Sequence, residues 1–203
     1  MLATTTAIVT GQAMEAFLAS TLLVAIAEIG DKTQLLAIVL AARFNRPLPI
    51  IAGIAAATLA NHALAAWIGT LAAGWFDGPG FRLALATGFI AMAAWTLVPD
   101  KLDEDEAPAV SARGAFVTTL IAFFLVEMGD KTQIATVALG AQYQALFWVT
   151  AGTTLGMMIA NVPAVLLGQA LVKRISLTMV RRVAAGLFLL TGLWFGANAL
   201  GWV

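Results

Sequence analysis

Apolar residues gather in six long stretches, roughly 14–42, 48–74, 81–98, 114–141, 145–171 and 180–201. A helix needs about 20 apolar residues to cross a bilayer, so each stretch reads as a span. The first and fourth are over-long, and each is interrupted by a polar cluster, which predicts tilt, a kink or a local break. The connections are short except for Asp100–Arg113, which carries Asp103, Glu104, Asp105, Glu106 and Pro108. That segment reads as a solvated linker. The expected fold is an all-α integral membrane protein with six transmembrane helices.

The two halves repeat. At a constant offset of 99 positions, Glu28-Ile-Gly-Asp-Lys-Thr-Gln34 aligns with Glu127-Met-Gly-Asp-Lys-Thr-Gln133, six identities in seven residues. The same offset pairs Phe17 with Phe116, Gly53 with Gly152, Gly69 with Gly168, Arg82 with Arg181 and Trp95 with Trp194. It therefore runs through all three helices of the unit. The units are 14–98 and 114–202, joined by an acidic linker at 99–113 that is expected in the cytoplasm. Three spans per unit is an odd number, so the second copy enters from the opposite side. The expected design is a pair of inverted three-helix repeats with a site at the midplane between them.

Composition agrees with a bilayer solvent. Of 203 residues, 61% are hydrophobic and 11% charged, with a mean hydropathy of +0.93. A soluble domain carries about 25% charged residues. The formal net charge is zero and suggests no nucleic-acid partner. Without cysteine there is neither a disulfide nor a thiolate metal site, and one histidine, His62, argues against a multi-His centre. The first eleven residues lack a basic region, so the first span is expected to act as an uncleaved insertion signal.

Arg43, Arg46, Lys101, Arg113, Lys173, Arg174, Arg181 and Arg182 fall in loops one, three and five, against Arg82 alone in the other loops and the termini. The positive-inside rule then puts both termini outside. Trp75, Trp148 and Trp202 fall near span ends, where indole rings favour the interface.

The doubled motif carries the chemistry. Glu28, Asp31, Lys32, Glu127, Asp130 and Lys131 lie in apolar surroundings, where each charge costs about 2.5–3.5 kcal/mol at the bilayer centre. They are expected to face one another, water or an ion. On a regular helix Glu28 and Asp31 share a face, Glu28 and Lys32 are spaced for an ion pair, and Gln34 continues the edge. Thr33 points away on a regular helix, and a break at Gly30 would alter this. Thr132 and Gln133 repeat the pattern. Together the halves supply hard oxygen ligands from Glu28, Asp31, Gln34, Glu127, Asp130 and Gln133, suited to Ca²⁺, Mn²⁺ or Mg²⁺. Lys32, Thr33, Lys131 and Thr132 support them. Four acids and two bases leave two negative charges, matched by one divalent cation or by two protons. Competition between the two is the physical basis of antiport.

Asn61, His62 and Asn161 are candidate pathway residues, with interhelical hydrogen bonding as the plainer alternative. Salt bridges locking the repeats together are the structural alternative for the motifs, though buried pairs seldom improve on apolar packing. Two other readings are an exporter of another cationic solute and an intramembrane aspartyl hydrolase using Asp31 and Asp130.

Two copies of Glu-x-Gly-Asp-Lys-Thr in a six-span chain of this length resemble the Gdt-type calcium/manganese:cation antiporter family. That family includes bacterial manganese exporters and Golgi and thylakoid Ca²⁺/Mn²⁺ transporters. The resemblance implies cation/proton exchange, with Glu28, Asp31, Glu127 and Asp130 at the ion site and Lys32, Thr33, Lys131 and Thr132 at matched positions. It implies transient binding of Mn²⁺ or Ca²⁺ and no prosthetic group. For a compact chain it suggests a bacterial inner membrane and export of Mn²⁺. It leaves the oligomeric state open.

Overall fold

A computed structural model describes residues 2–76, 78–99, 114–168 and 176–202, with side chains in the first helix from position 11 onward. The expected linker at 100–113, and with it Lys101 and Arg113, lies outside the described residues, as do Lys173 and Arg174. Eight helices are described: α1 (Leu2–Glu28), α2 (Lys32–Phe44), α3 (Pro47–Trp75), α4 (Pro79–Thr96), α5 (Gly114–Glu127), α6 (Lys131–Tyr143), α7 (Leu146–Leu167) and α8 (Leu177–Ala199).

The difference from six spans arises inside the two over-long stretches. The first divides into α1 and α2, which bend by 68° across residues 29–31. The fourth divides into α5 and α6 at the matching place. By length and composition, α3, α7 and α8 are each able to cross a membrane. The bent pair of α1 from Gly11 and α2 makes a fourth candidate if it counts as one span. At 14 residues α5 is apolar but short.

Polarity is arranged inside out. Leu18, Leu22, Leu59, Leu125, Leu155 and Leu190 are exposed, while Glu28, Asp31, Glu127, Asp130 and Lys131 are buried. Large apolar patches at a surface require an apolar neighbour, and a bilayer provides one on every side of a helix bundle. This is a multi-pass membrane protein. Trp75, Trp148 and Trp202 are all exposed, in the last turn of α3, the first turns of α7 and just beyond α8.

Glycine sets the closest helix approaches. A Cβ on Gly53 of α3 would fall 2.8 Å from the Phe116 carbonyl oxygen and from Thr119 Cβ of α5. A Cβ on Gly152 of α7 would fall 2.5 Å from the Phe17 carbonyl oxygen and 3.0 Å from Ser20 of α1. These are the same contact displaced by 99 positions. Each half therefore lays its long central helix on the other half's first helix, and only a residue without a side chain lets the backbones meet so closely.

Two apolar cores hold the bundle. One joins Leu23 and Ala27 of α1 with Phe89 of α4, Leu139 of α6 and Phe188 of α8. The other joins Leu36 and Leu40 of α2 with Ile54 of α3, Phe123 of α5 and Val165 of α7. Thus α1 and α6 belong to the first core, α2 and α5 to the second. Each broken helix passes from one core to the other at its break, and both breaks fall on the motif.

Candidate functional site

The breaks are written into the motif. Gly30 and Gly129 have φ of +81° and +80°, a left-handed conformation that costs a residue with a Cβ about 1–2 kcal/mol. One residue later, Asp31 (φ −78°, ψ 167°) and Asp130 (φ −73°, ψ 163°) are extended and cap α2 and α6. The chain leaves the helix at glycine and re-enters it at lysine.

Opening a helix in an apolar interior frees backbone groups that need partners. The motif supplies them. The Gly30 N–H donates to Gln34 Oε1 at 2.9 Å, and the Gly129 N–H to Gln133 Oε1 at 2.7 Å. The N–H groups of Asp31 and Asp130 donate to the carbonyls of Glu28 and Glu127, both at 3.1 Å. Gln34 Nε2 reaches across to the Ala160 carbonyl of α7 at 3.0 Å. Gln133 Nε2 lies 3.8 Å from Met128 Sδ. The two glutamines, expected from the sequence as ligands, thus splint the breaks with their side-chain oxygens.

The acidic residues come together across the halves, and unequally. Glu28, Asp31 and Asp130 are buried, each with a carboxylate oxygen within 4.8 Å of the others. Lys131 Nζ of the second motif is ion-paired with Asp31 Oδ1 of the first. Glu28 Oε2 accepts from the Thr33 hydroxyl at 2.6 Å, and its Oε1 accepts from the hydroxyl of Thr132. One carboxylate is held by a threonine from each motif. Three acids and Lys131 leave two negative charges when all are ionised, which one divalent cation balances. Glu127 is not in this group. It is fully buried, and His62 Nε2 lies 4.0 Å from its Oε2.

Several placements correct the regular-helix picture. Glu28 and Lys32 stand on opposite sides of the break, so they are not an i,i+4 pair along one helix. Asp31 lies beyond the end of α1, so it does not share a helical face with Glu28. Thr33, directed away on a continuous helix, turns back onto Glu28. Lys32 is half-buried and acts electrostatically on Glu127. Asn61 Nδ2 donates to the Phe124 carbonyl at 3.0 Å. Asn161 Nδ2 donates to the Met157 carbonyl at 3.1 Å and lies 2.9 Å from Met157 Sδ. Asn61 therefore makes the interhelical hydrogen bond of the plainer alternative, whereas Asn161 bonds within its own helix. The Glu127–His62 approach was not visible in the spacing, because it joins α3 to α5.

Charge at helix ends suits the arrangement. The N-termini of α2 and α6 carry partial positive charge beside Asp31 and Asp130, and the C-termini of α1 and α5 partial negative charge. A site at such broken ends can hold carboxylates and a cation together.

The family model described as "Divalent cation/proton antiporter GDT1" matches residues 16–104 and 115–202. This chain belongs to that family. A Vibrio cholerae relative named "Putative manganese exporter" is 56% identical over 171 residues, covering 84% of each chain. A GDT1-like protein of Synechocystis is 30% identical over 195 residues, covering 87% of this chain and 94% of its own. A GDT1-like protein of Oryza sativa is 26% identical over 200 residues, covering 86% of this chain and 71% of its own. No solved structure matches the chain. The antiporter family assigns transport to this protein, and the hydrolase reading of Asp31 and Asp130 has no place in it.

In this antiporter the two hinge glycines make unequal demands. A Cβ on Gly129 meets no described atom within 4 Å, whereas one on Gly30 falls 2.5 Å from Leu177 Cδ2 at the start of α8. Both alanine variants meet the conformational cost of about 1–2 kcal/mol. Gly30→Ala must also displace Leu177. It is expected to lower the thermal midpoint in detergent more than Gly129→Ala does.

Proposed function

We propose that this antiporter exports Mn²⁺ from the cytoplasm in exchange for protons, using the carboxylates of both motifs as one shared ion site. The observation that carries this reading is the group of Glu28, Asp31 and Asp130, drawn from both halves to within 4.8 Å. Its donors are oxygens, which suit a hard divalent ion. Its formal excess of two negative charges suits one such ion or two protons. Thr33, Thr132 and Lys131 hold the carboxylates in place, Gln34 and Gln133 keep the breaks open, and Lys32 supplies opposing charge near Glu127. Mn²⁺ as the cargo follows the name of the Vibrio cholerae relative, and Ca²⁺ is the second candidate by ligand type.

The architecture in this reading is two inverted three-helix repeats, 14–98 and 114–202, with the linker at 99–113 in the cytoplasm. Support comes from the matched contacts of Gly53 on α5 and Gly152 on α1, and from paired breaks at one offset. The bias of basic residues supports both termini outside, in a bacterial inner membrane. Mn²⁺ and H⁺ are transported ions in this scheme, and no prosthetic group is required.

The test is transport by protein in sealed proteoliposomes. Imposing a pH gradient, acidic on the side toward which Mn²⁺ moves, is expected to drive Mn²⁺ flux several-fold faster. Reversing the gradient is expected to reverse the flux. Flux indifferent to the gradient would remove proton coupling from the proposal, and absent Mn²⁺ flux with robust Ca²⁺ flux would replace the cargo.

A further inference from the structure

Glu127 is the motif acid outside the mutual group of Glu28, Asp31 and Asp130. It is fully buried, and neither of its oxygens has a hydrogen-bond partner among the described residues. His62 of α3 is also fully buried, and neither ring nitrogen has one. The two face each other, Nε2 to Oε2, at 4.0 Å. Buried polar side chains are nearly always hydrogen-bonded, and leaving one bare is costly. The equivalent places in the other half are better satisfied. Glu28 takes two hydroxyls, and Asn161, at the position matching His62, donates to Met157. Asn61 Oδ1 and Asn161 Oδ1 also lack a partner among the described residues, but Glu127 and His62 are the pair in which every side-chain polar atom does.

A separation of 4.0 Å is too long for a hydrogen bond. It does fit two ligands of one metal ion. With bonds of about 2.1 Å, ligand atoms on one ion lie about 3 Å apart at right angles and about 4.2 Å apart when opposed. Four charged groups act electrostatically on Glu127 besides: Glu28, Asp130 and Asp31 add negative potential, and Lys32 opposes them. The balance at this position favours a cation.

We propose that Glu127 and His62 form a second binding station for the transported cation, one carboxylate oxygen and one imidazole nitrogen, beside the all-oxygen group of Glu28, Asp31 and Asp130. The proposal rests on the reading that this group carries the cation. Its consequence is selectivity. Ca²⁺ and Mg²⁺ take oxygen ligands, whereas imidazole nitrogen is a ligand of first-row transition ions. A station with one nitrogen therefore favours Mn²⁺ over Ca²⁺, which three carboxylates alone do not.

The experiment is pulsed electron paramagnetic resonance of Mn²⁺ bound to the full-length protein at pH 8, with Mn²⁺ and Ca²⁺ affinities measured on the same samples. Wild type is expected to give modulation from a directly bound ¹⁴N. His62→Asn, which installs the side chain found at the matching position of the other half, is expected to lose that signal. It is also expected to bind Mn²⁺ about 10-fold more weakly with Ca²⁺ affinity held. Glu127→Gln keeps the imidazole and is expected to weaken the ¹⁴N signal as well. Wild type without ¹⁴N modulation, or His62→Asn with an unchanged Mn²⁺ to Ca²⁺ ratio, would overturn the station. If His62→Asn loses both ions through misfolding, the wild-type ¹⁴N signal decides alone. Glu28→Gln separates the two readings. Loss of both ions there upholds the shared carboxylate site whatever His62 does, and wild-type affinities there would sink that site instead.

Discussion

Glu28→Gln is expected to reduce cation flux in proteoliposomes to the level of protein-free vesicles, a loss of 100-fold or more. Glu28 is the acid that both halves hold. Its oxygens accept from Thr33 of the first motif and Thr132 of the second. Hydrogen bonds to a charged group contribute about 1.5–3 kcal/mol each. A glutamine keeps the volume but presents an amide N–H₂ toward one of those hydroxyls, and it removes one of the two excess negative charges that attract the cation. The two losses act on the same ion. Tracer flux measured with matched amounts of folded protein reads the result, and flux above one tenth of wild type would deny Glu28 a central place.

Lys131→Met is expected to be the most destabilising single change among the motif residues. The ammonium group is buried beside Asp31. Removing one partner of a buried pair leaves the other charge uncompensated, at a cost of about 3–5 kcal/mol. For a chain of this size the thermal midpoint in detergent is expected to fall by roughly 10 °C. Combining Lys131→Met with Asp31→Asn is expected to recover part of the loss, since the Asp31 carboxylate is no longer left without its partner, with a coupling of at least about 1 kcal/mol. Additive effects in that cycle would mean that the ion pair does not join the halves energetically.

The motif itself was legible from its duplication, and a local break was one of three readings, with tilt and a kink, of each over-long stretch. What spacing could not supply was the angle at which the chain resumes. Glu28 and Asp31 are three residues apart, which on a helix means one face. Gly30 at φ +81° ends that rule within a single residue, and with it the Glu28–Lys32 pair. Lys131 instead meets Asp31 from the other motif, a partner that local spacing cannot name. Gln34 and Gln133 were read as ligands from their oxygens, and what spacing did not show is that those oxygens also accept from the N–H groups freed at Gly30 and Gly129. His62 was ambiguous because its matching residue, Asn161, is neutral. Its meaning depends on Glu127, which α5 brings to it from outside the repeat that contains it. The long connection at 100–113 was legible only as composition.

The passage of each broken helix from one apolar core to the other has a consequence for leakage. Glu28 is bonded by one hydroxyl from α2 and one from α6, which belong to different cores. If the two cores slide past each other to change access, at least one of those hydrogen bonds is strained. A bound cation or proton can take over the exposed lone pair, whereas an empty carrier cannot. On the proposed reading, the empty carrier then faces an added barrier of about 1–3 kcal/mol for a buried acceptor left bare, or roughly 5- to 150-fold fewer futile crossings. The two threonines would act as the ratchet of the site, penalising motion without cargo and so keeping the exchange of ions obligatory.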